Sequence, residues 1–210
     1  PPNYTTNFKA KEVVFTFNEY LQLKDVQKEI LISPPIAPRP IFAVKGKSIV
    51  MKFPPELKLD SNTTYRVDFG NSIQDNNEGN PAKRFEYIFS TGNKIDSLVM
   101  SGKLVDALTG ADIVNGFVLY YADERIPNDT LLSDSTIFKG KKLGIARTDS
   151  TGNFLTRNLK AIPYRIFGIK DENGNQEYDM GGDMVGLSNA RYNPETMKEF
   201  DVWVDPVKDR

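Results

Sequence analysis

Between Phe85 and Asp106 one pattern of alternation stops and another starts, and this break constrains the fold more than any other feature of the chain. In FEYIFS (85–90), Phe85, Tyr87 and Phe89 fall on one side of an extended backbone, while Glu86 and Ser90 fall on the other. A period of two is what a half-buried antiparallel strand requires. The turn formers Ser90, Thr91, Gly92 and Asn93 interrupt it, and a new apolar run extends from Leu98 to Val105 around Gly102. A closing core strand, a short linker and an opening core strand predict two modules, residues 1–94 and 95–210.

The flanking sequence repeats the theme. Val13, Phe15 and Phe17 alternate with Val14, Thr16 and Asn18. Leu21 to Val26 has the composition for one helical turn, and Glu29 to Ser33 is a brief β-branched run stopped by Pro34 and Pro35. Ile41–Val44 and Ser48–Phe53 flank Lys45-Gly46-Lys47, where glycine supplies the positive φ of a tight hairpin. From Thr63 to Phe69 the pattern puts Tyr65, Val67 and Phe69 inward and Thr64, Arg66 and Asp68 outward.

In the second half, Phe117, Leu119 and Tyr121 share one face of a strand and Val118 and Tyr120 the other. Leu143–Thr148 and Asn153–Thr156 bracket Asp149-Ser150-Thr151-Gly152, a second hairpin signal, and Tyr164–Lys170 is a further strand. In the last strand Phe200, Val202 and Val204 oppose Asp201, Trp203 and Asp205. Residues 123–142 are mostly polar and predict a long exposed loop. Short strands punctuated by turns, with no amphipathic helix, specify an all-β fold of two tandem β-sandwiches.

Composition excludes several chemistries. The 210 residues, 39% hydrophobic and 11% aromatic, suffice for two cores. Lys and Arg number 27 against 28 Asp and Glu, interspersed along the chain, so there is no basic footprint for nucleic acid or an anionic membrane. There is no Cys and no His, which removes thiol nucleophiles, the Ser-His-Asp triad and metal sites built on imidazole or thiolate. No apolar run reaches the roughly 18 residues of a membrane-spanning helix. The opening Pro1-Pro2-Asn3 leads to the expectation of a mature chain whose targeting segment has been removed.

The candidate sites are polar turns and aromatics. DENGNQEYD (171–179) places side-chain oxygens at alternate positions, on Asp171, Asn173, Asn175, Glu177 and Asp179, with Asp183 following. This is how a calcium loop folds ligands around a hard cation, and Ca2+ is the one cofactor the sequence suggests. Gln176 stands where the helical calcium loop has its sharp-turn glycine, and Gly182 where it has its bidentate glutamate; an ordinary polar turn uses the same residues. Asp75, Asn77, Glu78 and Asn80 are a weaker version that Asx turns explain without an ion. Glu177 and Asp183 are a carboxylate pair of the type glycoside cleavage uses, although a sandwich of about 100 residues seldom encloses a deep cleft. Trp203, Tyr120, Tyr121 and Tyr192 are aromatics on which a sugar ring stacks if they are exposed. A Trp203 packed under the 123–142 loop is the alternative.

Two stretches carry a family likeness. FTFNEY (15–20), LDSNTTYRVDFGNSIQDNNEGN (59–80) and FEYIFSTG (85–92) make residues 3–92 resemble the bacterial Ig-like domain first defined in surface-layer proteins. IDSLVMSGKLVDALTG (95–110), TDSTGNF (148–154) and NLKAIPYRIFGIKDENGNQEYD (158–179) resemble the carboxypeptidase-regulatory-like, or transthyretin-like (prealbumin-like), sandwich. Ala161-Ile162-Pro163 departs from that pattern, in which a Gly precedes the Tyr. The module order is similar to that of outer-membrane lipoproteins of Gram-negative bacteria. The resemblance implies an exported, non-catalytic structural or adhesive module at the outer membrane, cell surface or periplasm, contacting an envelope protein or glycan. It meets the membrane only through an N-terminal lipid anchor that this chain does not include. A glycan-binding accessory module is the alternative function, and a glycoside hydrolase the third.

Overall fold

A computed structural model describes residues 1–76, 79–81, 85–122, 140–179, 182–187 and 190–204. The chain is all-β and divides into two compact units, Pro1–Asp96 and Ser97–Arg210. Among the described residues no helix is long and apolar enough to cross a membrane.

The first unit runs β1 (Glu12–Thr16), β2 (Leu21–Leu23), α1 (Val26–Glu29), β3 (Leu31–Ser33), β4 (Ile41–Lys45), β5 (Ser48–Lys52), β6 (Thr64–Asp68), β7 (Ile73–Asp75) and β8 (Glu86–Ser90). Two antiparallel sheets, ordered β1-β5-β4 and β3-β6-β8, are joined by the β2-β7 ribbon. The alternating aromatics meet between them. Phe15 packs edge-on against Phe69 and Tyr87 at 5.4 and 5.1 Å, and Tyr65 stacks on Phe89 at 5.3 Å. The first residues extend the second sheet, with Thr5 bridging Phe89 in parallel and the Tyr4 N–H donating to the Ile88 carbonyl at 2.7 Å.

The β4–β5 hairpin pairs Lys45 with Ser48 across Gly46, whose φ of +61° is the value expected of it. The segment at Leu21 differs from its predicted helical turn. Leu21–Leu23 is a strand, paired antiparallel with β7, and the single helical turn begins at Val26 after Asp25 enters the left-handed region at φ +46°. A three-residue strand has too few positions to show alternation, so its pairing partner decides its conformation. The outward face of β6 also differs from expectation: Thr64, Arg66 and Asp68 are all buried.

The second unit runs β9 (Leu98–Asp106), β10 (Phe117–Ala122), β11 (Lys142–Arg147), β12 (Asn153–Leu159), β13 (Tyr164–Lys170), β14 (Met184–Leu187) and β15 (Val202–Val204). One sheet is ordered β11-β10-β13-β14, the other β12-β9-β15, and β15 lies parallel to β9. Met100, Leu104, Val118, Phe154, Ile166, Val202 and Val204 fill the space between. Gly168 sits in mid-strand because there is no room for a side chain: a Cβ there would lie 2.8 Å from Val202 Cγ1.

Asp149–Gly152 is a tight turn, with the Gly152 N–H donating to the Asp149 carbonyl at 3.1 Å, but it is not a hairpin of paired strands. β11 and β12 belong to opposite sheets, so the turn carries the chain across the sandwich. Of the predicted 123–142 loop, residues 123–139 lie outside the described residues, as do Asp205, Asn77 and Glu78.

Candidate functional site

The loop from Asp171 to Asp183 gathers most of the proposed ligands, and local hydrogen bonds account for its shape. After β13, Gly174 and Gln176 both adopt positive φ, +76° and +67°, and fold the chain back on itself. Asp171 accepts from the Gly174 N–H through Oδ1 (2.6 Å) and from the Gln176 N–H through Oδ2 (2.8 Å). Asn173 Oδ1 takes the Asn175 N–H at 2.9 Å, and Asn175 Oδ1 takes the Glu177 N–H at 2.7 Å. The two asparagine bonds, each reaching two residues on, are Asx turns, in which a short polar side chain stands in for a backbone carbonyl.

Asp179 and Asp183 close the far side. Both asparagine amides, Asn173 Nδ2 and Asn175 Nδ2, donate to Asp179 Oδ2 at 2.6 Å. Asp183, buried, accepts from the Glu172 N–H through Oδ1 (3.0 Å) and from the Asp179 N–H through Oδ2 (2.8 Å). Thus Asp171, Asn173, Asn175, Asp179 and Asp183 belong to one hydrogen-bonded loop. Glu177 stands on its exposed side, where its charge acts on Lys142. Burial lowers the Lys142 pKa and Glu177 partly offsets that. Among the described residues no three His, Cys, Asp or Glu side chains gather where a metal ion could sit.

The carboxylate pair considered for glycoside cleavage is divided between two environments. Asp183 has both oxygens occupied by backbone donors, whereas a general acid must be free to present its proton to a substrate. At the weaker acidic turn, the Asp75 N–H donates to the Asn80 carbonyl at 3.0 Å, a backbone closure that needs no ion.

Of the four aromatics, Trp203 alone is exposed, at 55%. Tyr120, Tyr121 and Tyr192 are core residues rather than surface ones. Tyr120 meets Tyr164 edge-on at 5.9 Å and its hydroxyl accepts from Thr156 Oγ1 at 2.7 Å. Tyr121 packs on Phe167 at 5.2 Å and Tyr192 on Phe200 at 4.2 Å. Burial raises the hydroxyl pKa of Tyr120 and Tyr121. Strand β10 is covered on both faces, which is why alternation gave no guide to its exposed side. A buried ring offers no face to a sugar.

The Arg66 cluster carries no signal in the sequence beyond its charges. Arg66 Nη2 donates to Asp68 Oδ2 at 2.6 Å and to Glu86 Oε1 at 2.9 Å. Cross-strand pairing of Asp68 with Glu86 in the β6–β8 register brings the two carboxylates together, and Arg66, two residues along the same strand face, donates to both. Its Nε is buried without a hydrogen-bond partner.

Comparison with known proteins places the first unit. No curated protein sequence matches the chain. Solved structures similar to it include the major pilin subunit BcpA of Bacillus cereus, at 9% identity and a TM-score of 0.31 over 93% of this chain. The shaft pilin SpaA of Lactobacillus rhamnosus GG (10% identity, TM-score 0.33, 79% of this chain and 74% of that one) is another. A third is the group B streptococcus pilus 2b backbone protein (9%, 0.27, 98% and 90%). The chain spans 59% of the length of BcpA. Likeness this low transfers no function. The family match is more specific: residues 1–91 match the model of a bacterial Ig-like domain.

Proposed function

We propose that this chain is a non-catalytic structural module of the bacterial cell envelope, exported to the periplasm or outer surface, where its loops and edge strands contact other envelope proteins. The observation that carries this reading is the match of residues 1–91 to a bacterial Ig-like domain. It is supported by the way polar side chains are used: the acidic loop of the second unit and the Arg66 cluster of the first are both occupied in hydrogen bonds that hold the fold. The second unit serves as a transthyretin-like sandwich in the same role, and an N-terminal lipid anchor is the means of attachment. Fractionation of cells producing the full-length protein tests this. Recovery in the envelope or periplasmic fraction is expected; recovery in the cytosol alone would overturn it.

Exposure of Trp203 favours a second reading, in which the module contacts an envelope glycan through that ring. Binding to a polysaccharide array that is lost in Trp203→Ala, with the melting temperature unchanged, would establish it. A blank array would remove it.

A further inference from the structure

The first unit has a groove between the segment Phe8–Lys11 and the segment Lys52–Leu59. Its volume is about 430 Å³, inside the range of roughly 300–1,000 Å³ that small-molecule sites occupy. The floor is apolar. Phe8 and Phe53, both buried, meet edge-on at 5.5 Å, and Leu57 and Leu59 continue the surface beside them. Lys9, Lys11 and Lys52 stand exposed around this floor, and no carboxylate is among the lining residues.

None of these three lysines has an ion-pair partner among the described residues. Glu12 is opposite Lys52 in the β1–β5 register and Glu56 lies within the Lys52–Leu59 segment, but neither is among the residues that line the groove. Three unpaired cations around an apolar floor complement a ligand that is apolar along its length and anionic at one end.

The backbone narrows the ligand class further. On the walls the Phe8 N–H is taken by the Ser90 carbonyl and the Phe53 N–H by the Lys11 carbonyl, and Pro54 and Pro55 have no N–H to offer. An added peptide strand would find few main-chain partners, whereas an alkyl chain needs none. We propose that this groove binds a single-chain anionic amphiphile. The alkyl chain lies on Phe8, Phe53, Leu57 and Leu59, and the anionic group lies among Lys9, Lys11 and Lys52. This assigns the first unit a ligand in addition to its structural role.

The test is titration of the whole chain with decanoate, dodecanoate and decyltrimethylammonium, each below its micellar concentration, followed by calorimetry and amide chemical shifts. Saturable decanoate binding is expected, with shifts centred on Phe8, Leu57 and Leu59. Dodecanoate should bind roughly tenfold more tightly, from two further buried methylenes, and the cationic amphiphile at least tenfold more weakly. Reversing the charge in Lys9→Glu, Lys11→Glu and Lys52→Glu together should invert that preference while the circular dichroism spectrum stays native. Single reversals at these exposed positions, each weakening decanoate, serve if the triple variant fails to fold. The proposal is overturned by absence of saturable binding, by equal affinity for the two head-group charges, or by unchanged affinity in the folded reversed variants. It is equally overturned if an acidic, leucine-containing hexapeptide binds more tightly than decanoate.

Discussion

Arg66 Nη2 lies 2.6 Å from Asp68 Oδ2 on the face of β6 opposite the aromatic core, and the arginine side chain is only 5% exposed. Glu86 joins the pair at 2.9 Å. Removing the guanidinium takes a directly bonded cation away from two largely buried carboxylates, so Arg66→Ala should destabilise the first unit by about 3–5 kcal/mol. Replacing Arg66, Asp68 and Glu86 together with apolar residues of similar volume should recover most of that loss. Urea unfolding of the two variants measures both. A single substitution costing less than about 1 kcal/mol, the level of a surface pair, would contradict the buried geometry.

Alkaline pH should unfold the protein through its buried tyrosines. Burial pushes Tyr65 and Tyr87 up to about 12, and raises Tyr120 and Tyr121 as well. Tyrosine in the unfolded chain ionises near about 10. The folded state therefore holds these protons where the unfolded state releases them. Their contribution is fully present below about pH 10 and is lost as pH rises towards 12. The melting temperature should be level to about pH 9 and fall steeply above 10. A melting temperature unchanged at pH 12 would show these hydroxyls to be solvated.

At the acid end the sign reverses. Asp149 is held below the ordinary carboxylate range, first by the Thr151 hydroxyl and then by backbone N–H groups. Asp106 is held low chiefly by the Thr109 N–H. Both contribute stability above the ordinary aspartate pKa and lose it as pH falls through their lowered values. Asp149→Asn should flatten the acid limb of the melting profile of the second unit; an unaltered limb would mean that the turn does not depend on that charge.

In the loop after β13, Asp183→Ala should cost about 1–3 kcal/mol, because it leaves the Glu172 and Asp179 N–H groups without their acceptor. Since the closures of this loop are internal, the far-UV spectrum and the unfolding transition should persist in chelator. Loss of either on adding chelator would make the loop depend on calcium for its structure.

Gly102 and Gly186 make a steric prediction. A Cβ at Gly102 would overlap the Phe200 carbonyl, and one at Gly186 would overlap the Trp203 carbonyl. Gly102→Ala should therefore displace the segment leading into β15 and cost about 1–3 kcal/mol or more. Gly46→Ala meets no neighbouring atom and should cost only the strain of its left-handed backbone, about 1–2 kcal/mol. Equal costs at the two positions would contradict the close approach at Gly102.

Local pattern made much of this architecture legible. The alternation at Tyr65, Val67 and Phe69 matched one face of a strand, and Gly46 marked its hairpin, because both depend on residues near in sequence. What escaped was non-local. Gly102 interrupts an apolar run, and nothing near it in sequence points to the Phe200 carbonyl that lies against it. The turn at Asp149 was visible, but not that its two strands diverge to different sheets. Arg66 read as a solvated residue because burial of the outer strand face is a tertiary event. Among the proposed site residues, Asp171, Asn173, Asn175, Asp179 and Asp183 are joined by hydrogen bonds within one loop, because such bonds form between residues near in sequence. Tyr120 and Tyr121 were misplaced because a strand covered on both faces has no polar side.

The most direct measurement is equilibrium unfolding of residues 1–96 produced alone. That segment has its own aromatic core around Phe15, Phe69 and Phe89 and matches a bacterial Ig-like domain over residues 1–91, so it should unfold in one cooperative transition with an all-β circular dichroism spectrum. A segment that is unfolded, or that loses structure gradually without a transition, would contradict a chain built from self-supporting β-sandwich modules.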